Sequence, residues 1–177
     1  SNRILRNAKI IDFSDVEKTK TQWSNDPLVW EIVDERVRFT QNSQAFSVDK
    51  SWSNYTLKLD MMCISAIDKI VFFRVLSEDQ AYYIFLRSGP INDLVLGKGF
   101  TVMPDEILKR VAITNFTDTW YAVEISVYDN VINIYIDDVL VMNYVDENQP
   151  YLSGGIGLMS MLPADPASAA YYDNVLV

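Results

Sequence analysis

Histidine is absent from all 177 residues. With it go the usual general base near neutral pH and the commonest metal ligand. Ser-His-Asp and Cys-His nucleophiles and His-ligated zinc are therefore excluded. Cysteine occurs once, at Cys63. That rules out a disulfide within the chain, and the residue reads as a small buried hydrophobe. Positive charge is scarce: Lys and Arg number 15 against 24 Asp and Glu, for a net charge of −9. Long-range repulsion of phosphate argues against nucleic acid as a partner, and the same sign disfavours an anionic membrane surface. No apolar run reaches the length of a membrane span, and the first residues lack the form of a signal peptide. Ser1-Asn2 reads as a cloning remnant ahead of a domain taken from a longer exported or anchored protein. Sustained helical periodicity is missing too. Residues 15–22 and 104–110 each allow one turn, without a 3.6-residue stripe.

What the chain has is β pattern. Hydrophobic residues make up 49% and aromatics 12%, enough for a real core in one domain spanning 1–177 and rich in strand formers. From 121 to 128, Tyr121, Val123, Ile125 and Val127 share one face, and Ala122, Glu124, Ser126 and Tyr128 the other. Period two with one polar face is a half-buried strand. Asp129-Asn130 follows as a turn suited to positive φ at both residues. Ile132, Ile134 and Ile136 then face inward, Asp137-Asp138 turns again, and a third strand runs to Tyr144. Further strands read at 28–33, 37–40, 45–48, 55–63, 69–76, 81–87, 94–96, 110–114 and 155–161. This recurrence predicts an all-β sandwich of two packed antiparallel sheets.

The order of short motifs resembles a known pattern. Asp12-Phe13-Ser14-Asp15, Trp23, Trp30-Glu31-Ile32 and Val37-Arg38-Phe39 resemble the opening of concanavalin A-like, laminin G-like jelly-roll domains of bacterial exported proteins. Val71-Phe72-Phe73-Arg74-Val75, a polar loop and Ala81-Tyr82-Tyr83-Ile84-Phe85 are similar to their central hairpin. Gly154-Gly155-Ile156-Gly157 and the terminal Tyr172-Asp173-Asn174-Val175 match how they close. Relatives of that pattern include sugar-binding modules and 3-keto-disaccharide hydrolase domains. The resemblance implies a carbohydrate-binding module for an oligosaccharide or polysaccharide, located outside the cell or at its surface. A hydrolase-like enzyme and a protein-interaction or sensory domain are the alternatives.

A sugar site needs aromatic faces beside hydrogen-bonding groups. The hairpin supplies Phe72 and Arg74 on one strand and Tyr83 and Arg87 on the next, and the following loop brings Asn92, Asp93 and Lys98. Tyr83, Arg74 and Arg87 are expected to stack on and bond the sugar. The competing reading packs the tyrosines into the sheet and pairs Arg74 with Asp60 at the surface. A one-residue slip in register reverses the list. The resemblance also implies a structural calcium near the termini, where Asp12 and Asp15 meet Asp173 with hard oxygen ligands. Glucanases of this fold carry Glu-x-Asp-x-x-Glu on one strand, and nothing here matches it, so no catalytic residue is assigned. Asn54-Tyr55-Thr56 and Asn115-Phe116-Thr117 are glycosylation sequons.

Overall fold

The structure, a computed structural model, describes residues 10–11, 16–24, 30–39, 43–47, 49–65, 68–77, 79–99, 106–161 and 168–177. The elements run β1 (Ile10–Ile11), α1 (Val16–Gln22), β2 (Trp23–Ser24), β3 (Trp30–Val33), β4 (Arg36–Phe39), β5 (Ser43–Ser47), β6 (Tyr55–Ile64), β7 (Asp68–Ser77), β8 (Gln80–Arg87) and β9 (Asp93–Lys98). They continue with β10 (Glu106–Ala112), β11 (Tyr121–Tyr128), β12 (Val131–Ile136), β13 (Val139–Val145), β14 (Gly155–Met161) and β15 (Ala169–Leu176). Two antiparallel sheets result, as the alternation predicts. Sheet A has the order β13-β12-β11-β6-β15-β4-β3 with β1 also on β15, and sheet B the order β10-β9-β8-β7-β14-β5-β2. Ile10 pairs with Leu176 and Ile11 with Val175, so the first and last strands lie side by side.

The core forms between the sheets. Sheet A sends in Leu57, Leu59, Met61, Val123, Ile125, Ile134 and Tyr172; sheet B sends in Val71, Phe73, Tyr82, Ile84, Leu86, Leu96, Ile156 and Leu158. Each such apolar side chain contributes roughly 1.5–3 kcal/mol by leaving water. The Tyr172 hydroxyl crosses the core, donating to the carbonyls of Ile70 (2.9 Å) and Met159 (2.5 Å). Cys63 is fully buried and forms no disulfide.

Several expectations shift. Of the turn expected over 104–110, the described part, from Glu106 on, is not helical: Glu106–Ala112 is β10, the edge of sheet B. Its exposed Glu106, Lys109 and Arg110 are charges of the kind that protect an edge from pairing with another chain. Residues 16–22 do form a helix. At Asp129-Asn130 only Asp129 takes positive φ (47°), whereas Asp137 (48°) and Asp138 (65°) both do, the type I′ signature.

The largest departure is a bulge in β7. Arg74 has φ 47°, and the ladder to β14 passes from Phe73 to Val75 while the partner advances by one residue, from Ile156 to Gly155. One extra residue turns the strand over. Phe72 and Val75 therefore share the outer face of sheet B, and Arg74 points the other way. Gly154 fits beside it because a Cβ there would come within 2.4 Å of the Arg74 backbone.

Candidate functional site

The face of sheet B turned away from the core carries most of the residues that the sequence picks out. Ile70, Phe72, Ala81 and Tyr83 are buried there, with Phe85 and Met159 half-buried against them. The Tyr83 ring lies flat across the glycine opposite it in β9: a Cβ on Gly97 would sit 2.0 Å from the ring. Phe72 and Tyr83 meet edge to face at 6.3 Å. This part of the face is closed to solvent, so Phe72 and Tyr83 pack the sheet and do not offer a stacking surface.

Arg74 is a correction of the same kind. It is fully buried. Its guanidinium donates to the carbonyls of Ser53 (2.9 Å), Tyr151 (2.8 Å) and Asp129, and to Asn54 Oδ1 (3.2 Å). Burial lowers its pKa, and no surface pair with Asp60 exists; Asp60 instead accepts from Asn174 (2.7 Å). The bulge is the physical reason. Lys98 is likewise withdrawn: its Nζ donates to Asp146 (2.8 Å) and to the carbonyl of Gln149 (2.8 Å), 5.0 Å from the Tyr151 ring. Burial pushes the Asp146 carboxyl up, and the bonds from Lys98 and the Tyr82 hydroxyl (2.6 Å) outweigh it and hold it low. Both cations clamp the ends of β11, β13 and the loop before β14.

The other end of the face is only partly closed. Asp68, Arg87 and Asp93 stand in one register row across β7, β8 and β9. Arg87 grips Asp93 with two bonds, 2.7 and 2.6 Å, and Arg110 lies 3.4 Å from the same carboxylate. The Arg87 bonds hold the Asp93 carboxyl below its ordinary pKa. Asp68 is the reverse: burial raises its pKa, and its Oδ1 is enclosed without a hydrogen-bond partner. The half-buried ring of Phe85 adjoins this row, two residues before Arg87. Asn92 sits beside Asp93 in the preceding turn (φ 54°), where its Oδ1 accepts from the Asn115 amide at 3.3 Å. Of the seven sugar-site residues read from the sequence, Arg87 and Asp93 come together here, whereas Asn92 turns its side chain to Asn115. Asp68, Phe85 and Arg110 join them without having been singled out. Only the register of three strands reveals that Asp68 faces Arg87.

Asp12 and Asp15 lie outside the described residues. Asp173 is 3.4 Å from Arg36 Nε and accepts from the Asn174 amide (2.7 Å). Among the described residues no group of three or more acidic, cysteine or histidine side chains is arranged to hold a metal ion. Asn115 of the second sequon is buried, bonded to Lys69 and Ser88. No described helix is long and apolar enough to cross a membrane.

Comparison with known proteins places this geometry. The model of the 3-keto-alpha-glucoside-1,2-lyase-like domain family matches residues 9–176, and the chain belongs to that family. An uncharacterised protein of Methanocaldococcus jannaschii is 25% identical over 137 residues, 77% of this chain, and the match spans 58% of that protein's length. The fold is that of CBM66, a carbohydrate-binding module of Bacillus subtilis (TM-score 0.71, 18% identity, 88% of this chain and 94% of that one). It is equally that of the β-glucanase of Bacillus licheniformis (TM-score 0.71, 11% identity, 97% of each chain). The architecture is thus a concanavalin A-like jelly roll shared by sugar-binding and glucanase domains.

Proposed function

We propose that this member of the 3-keto-alpha-glucoside-1,2-lyase-like family is a carbohydrate-binding module of an exported or surface-attached protein, with no catalysis of its own. The observation that carries the reading is the Arg87 end of sheet B. There a half-buried ring (Phe85), Arg87 with 20% of its side chain exposed and gripping the buried Asp93, and the exposed Arg110 lie on one face. Arginine donors and carboxylate acceptors fixed against each other match the alternating donors and acceptors of sugar hydroxyls, and a half-buried ring takes the apolar C–H face. The likeness in fold to CBM66 supports the same reading. Titration with a panel of neutral oligosaccharides tests it: binding that Arg87→Ala weakens tenfold or more is expected, and an unchanged affinity sinks the assignment.

A second reading has its own observation. Asp68 and Asp93 flank Arg87 two strand spacings apart, ~10 Å, with pKa values pushed in opposite directions. Split carboxylates are how a site holds an acid and a base together. An elimination on a keto-glycoside needs both: a base for the proton and an acid for the leaving oxygen. Product formation from 3-keto-disaccharides, abolished by Asp68→Asn, establishes the enzyme; no turnover across the panel leaves the binding module.

The structural calcium belongs to this proposal as a separate part. Its test is a rise in the unfolding midpoint with calcium that EDTA reverses and that Asp173→Asn removes.

A further inference from the structure

The opposite side of the molecule has an opening of its own. On the outer face of sheet A a depression of about 260 Å³ is lined by Lys58 and Asp60 of β6, Ala122 and Glu124 of β11, Asn174 of β15 and Asp138 of the β12–β13 turn. Leu176 completes its apolar floor with Ala122. The register sets this out: Ala122 faces Asp60 and Glu124 faces Lys58 across the β6–β11 ladder, and Leu176 faces Lys58 from β15.

The polar groups here are only lightly held. Lys58 lies 3.4 Å from Glu124 with 47% and 29% of the side chains exposed. Exposed pairs of this kind contribute little to stability, so a ligand can open them at small cost. Asp60 takes one bond from Asn174 Nδ2 (2.7 Å). Asp138 is exposed at the turn.

Beyond the depression on the same outer face stands an edge-to-face aromatic pair, each ring with a guanidinium over it. Trp120 and Tyr171 meet at 6.5 Å. Arg36 lies 5.1 Å over Trp120 and Arg38 5.9 Å over Tyr171. Both rings are half-buried. A polar cup with an apolar floor has the composition of a site for a pyranose ring; the arginine-capped Trp120–Tyr171 pair lies outside it.

We propose that this depression is a saccharide-binding site separate from the Arg87 end of sheet B, and that it selects neutral over acidic sugars. The charge sets the selectivity. Asp60, Glu124 and Asp138 outnumber Lys58 at the rim, so hydroxyl donors are welcomed and a uronate carboxylate is repelled.

Calorimetric titration with neutral gluco-oligosaccharides and with a uronate oligosaccharide decides it, on the unaltered chain and on Arg87→Ala, Ala122→Trp and Asp60→Asn/Glu124→Gln. Ala122 is exposed, so the tryptophan fills the cup without entering the core; an unchanged unfolding midpoint checks that. The expected result is a neutral-sugar component that survives Arg87→Ala and is weakened tenfold or more by Ala122→Trp. Uronate should bind at least tenfold more weakly, and the double variant should narrow that gap. Loss of all binding in Arg87→Ala overturns this site while leaving the sheet B assignment standing. Loss only in Ala122→Trp does the opposite. A component that survives Arg87→Ala yet is indifferent to Ala122→Trp, equal binding of uronate by that component, or no binding by the unaltered chain each overturns the proposal.

Discussion

The two outer faces of the sandwich differ in one respect that controls everything a ligand can reach. On sheet A, β11 alternates: Val123, Ile125 and Val127 are buried while Ala122, Glu124 and Ser126 face out. On sheet B every residue of β9 is buried, and in β7 burial runs unbroken from Lys69 to Val75. Strands covered on both faces read as continuous apolar runs and half-covered strands alternate. Val71-Phe72-Phe73 and Tyr82-Tyr83-Ile84-Phe85 are such runs. The same fold thus presents a broad polar surface on one side, and on the other a closed face with one partly closed end at Asp68, Arg87 and Asp93.

The largest test of that contrast compares two arginines. Arg74→Ala leaves several buried carbonyls without donors and should cost about 3–5 kcal/mol in denaturant unfolding. Arg38→Ala on the outer face of sheet A, where Arg38 pairs with the exposed Glu31, should cost no more than ~1 kcal/mol. Similar costs would erase the distinction.

Next come two small residues. Gly97→Val drives a side chain into the Tyr83 ring and should destabilise by about 1–3 kcal/mol. Ala122→Val, on the open face, should stay within about 0.5 kcal/mol.

How legible this was depends on the element. The β11–β12–β13 meander is plain because one clean polar face makes period two visible. The meeting of the termini follows from the family resemblance. The bulge at Arg74 is not visible, because Phe-Phe-Arg-Val carries no turn residue to announce it; what permits it is Gly154, eighty residues later in the chain. One inserted residue then removed Arg74 from the groove. Lys98 was equally opaque, since its partner Asp146 reaches it only through the folded topology. β10 was misread because its exposed Glu, Lys and Arg leave little alternation. Within the site, Arg87 and Asp93 were found as the charged residues closing one hairpin and opening the next, but Asp68 needed the register.

A smaller effect sharpens the contrast by pH. Asp93 and Asp146 have lowered pKa values in the fold. Their contribution is present at neutral pH, above the ordinary aspartate value of about 3.9, and is lost as pH falls through the lowered values. Asp68 has the opposite sign. Its pKa is raised by burial, so the fold favours the protonated form and loses that advantage as pH rises through the raised value. Asp93→Asn should therefore flatten the acid limb of a stability–pH curve, and Asp68→Asn should gain stability at neutral pH but not in acid. Matching curves for the two variants would contradict the split.

The most direct test of the account is calorimetric titration of the unaltered chain and of Arg87→Ala with a neutral oligosaccharide panel. The account predicts saccharide binding in the unaltered chain and the loss of a binding component in Arg87→Ala, with the unfolding midpoint retained. Binding that Arg87→Ala leaves untouched, or no binding across the panel, would contradict it.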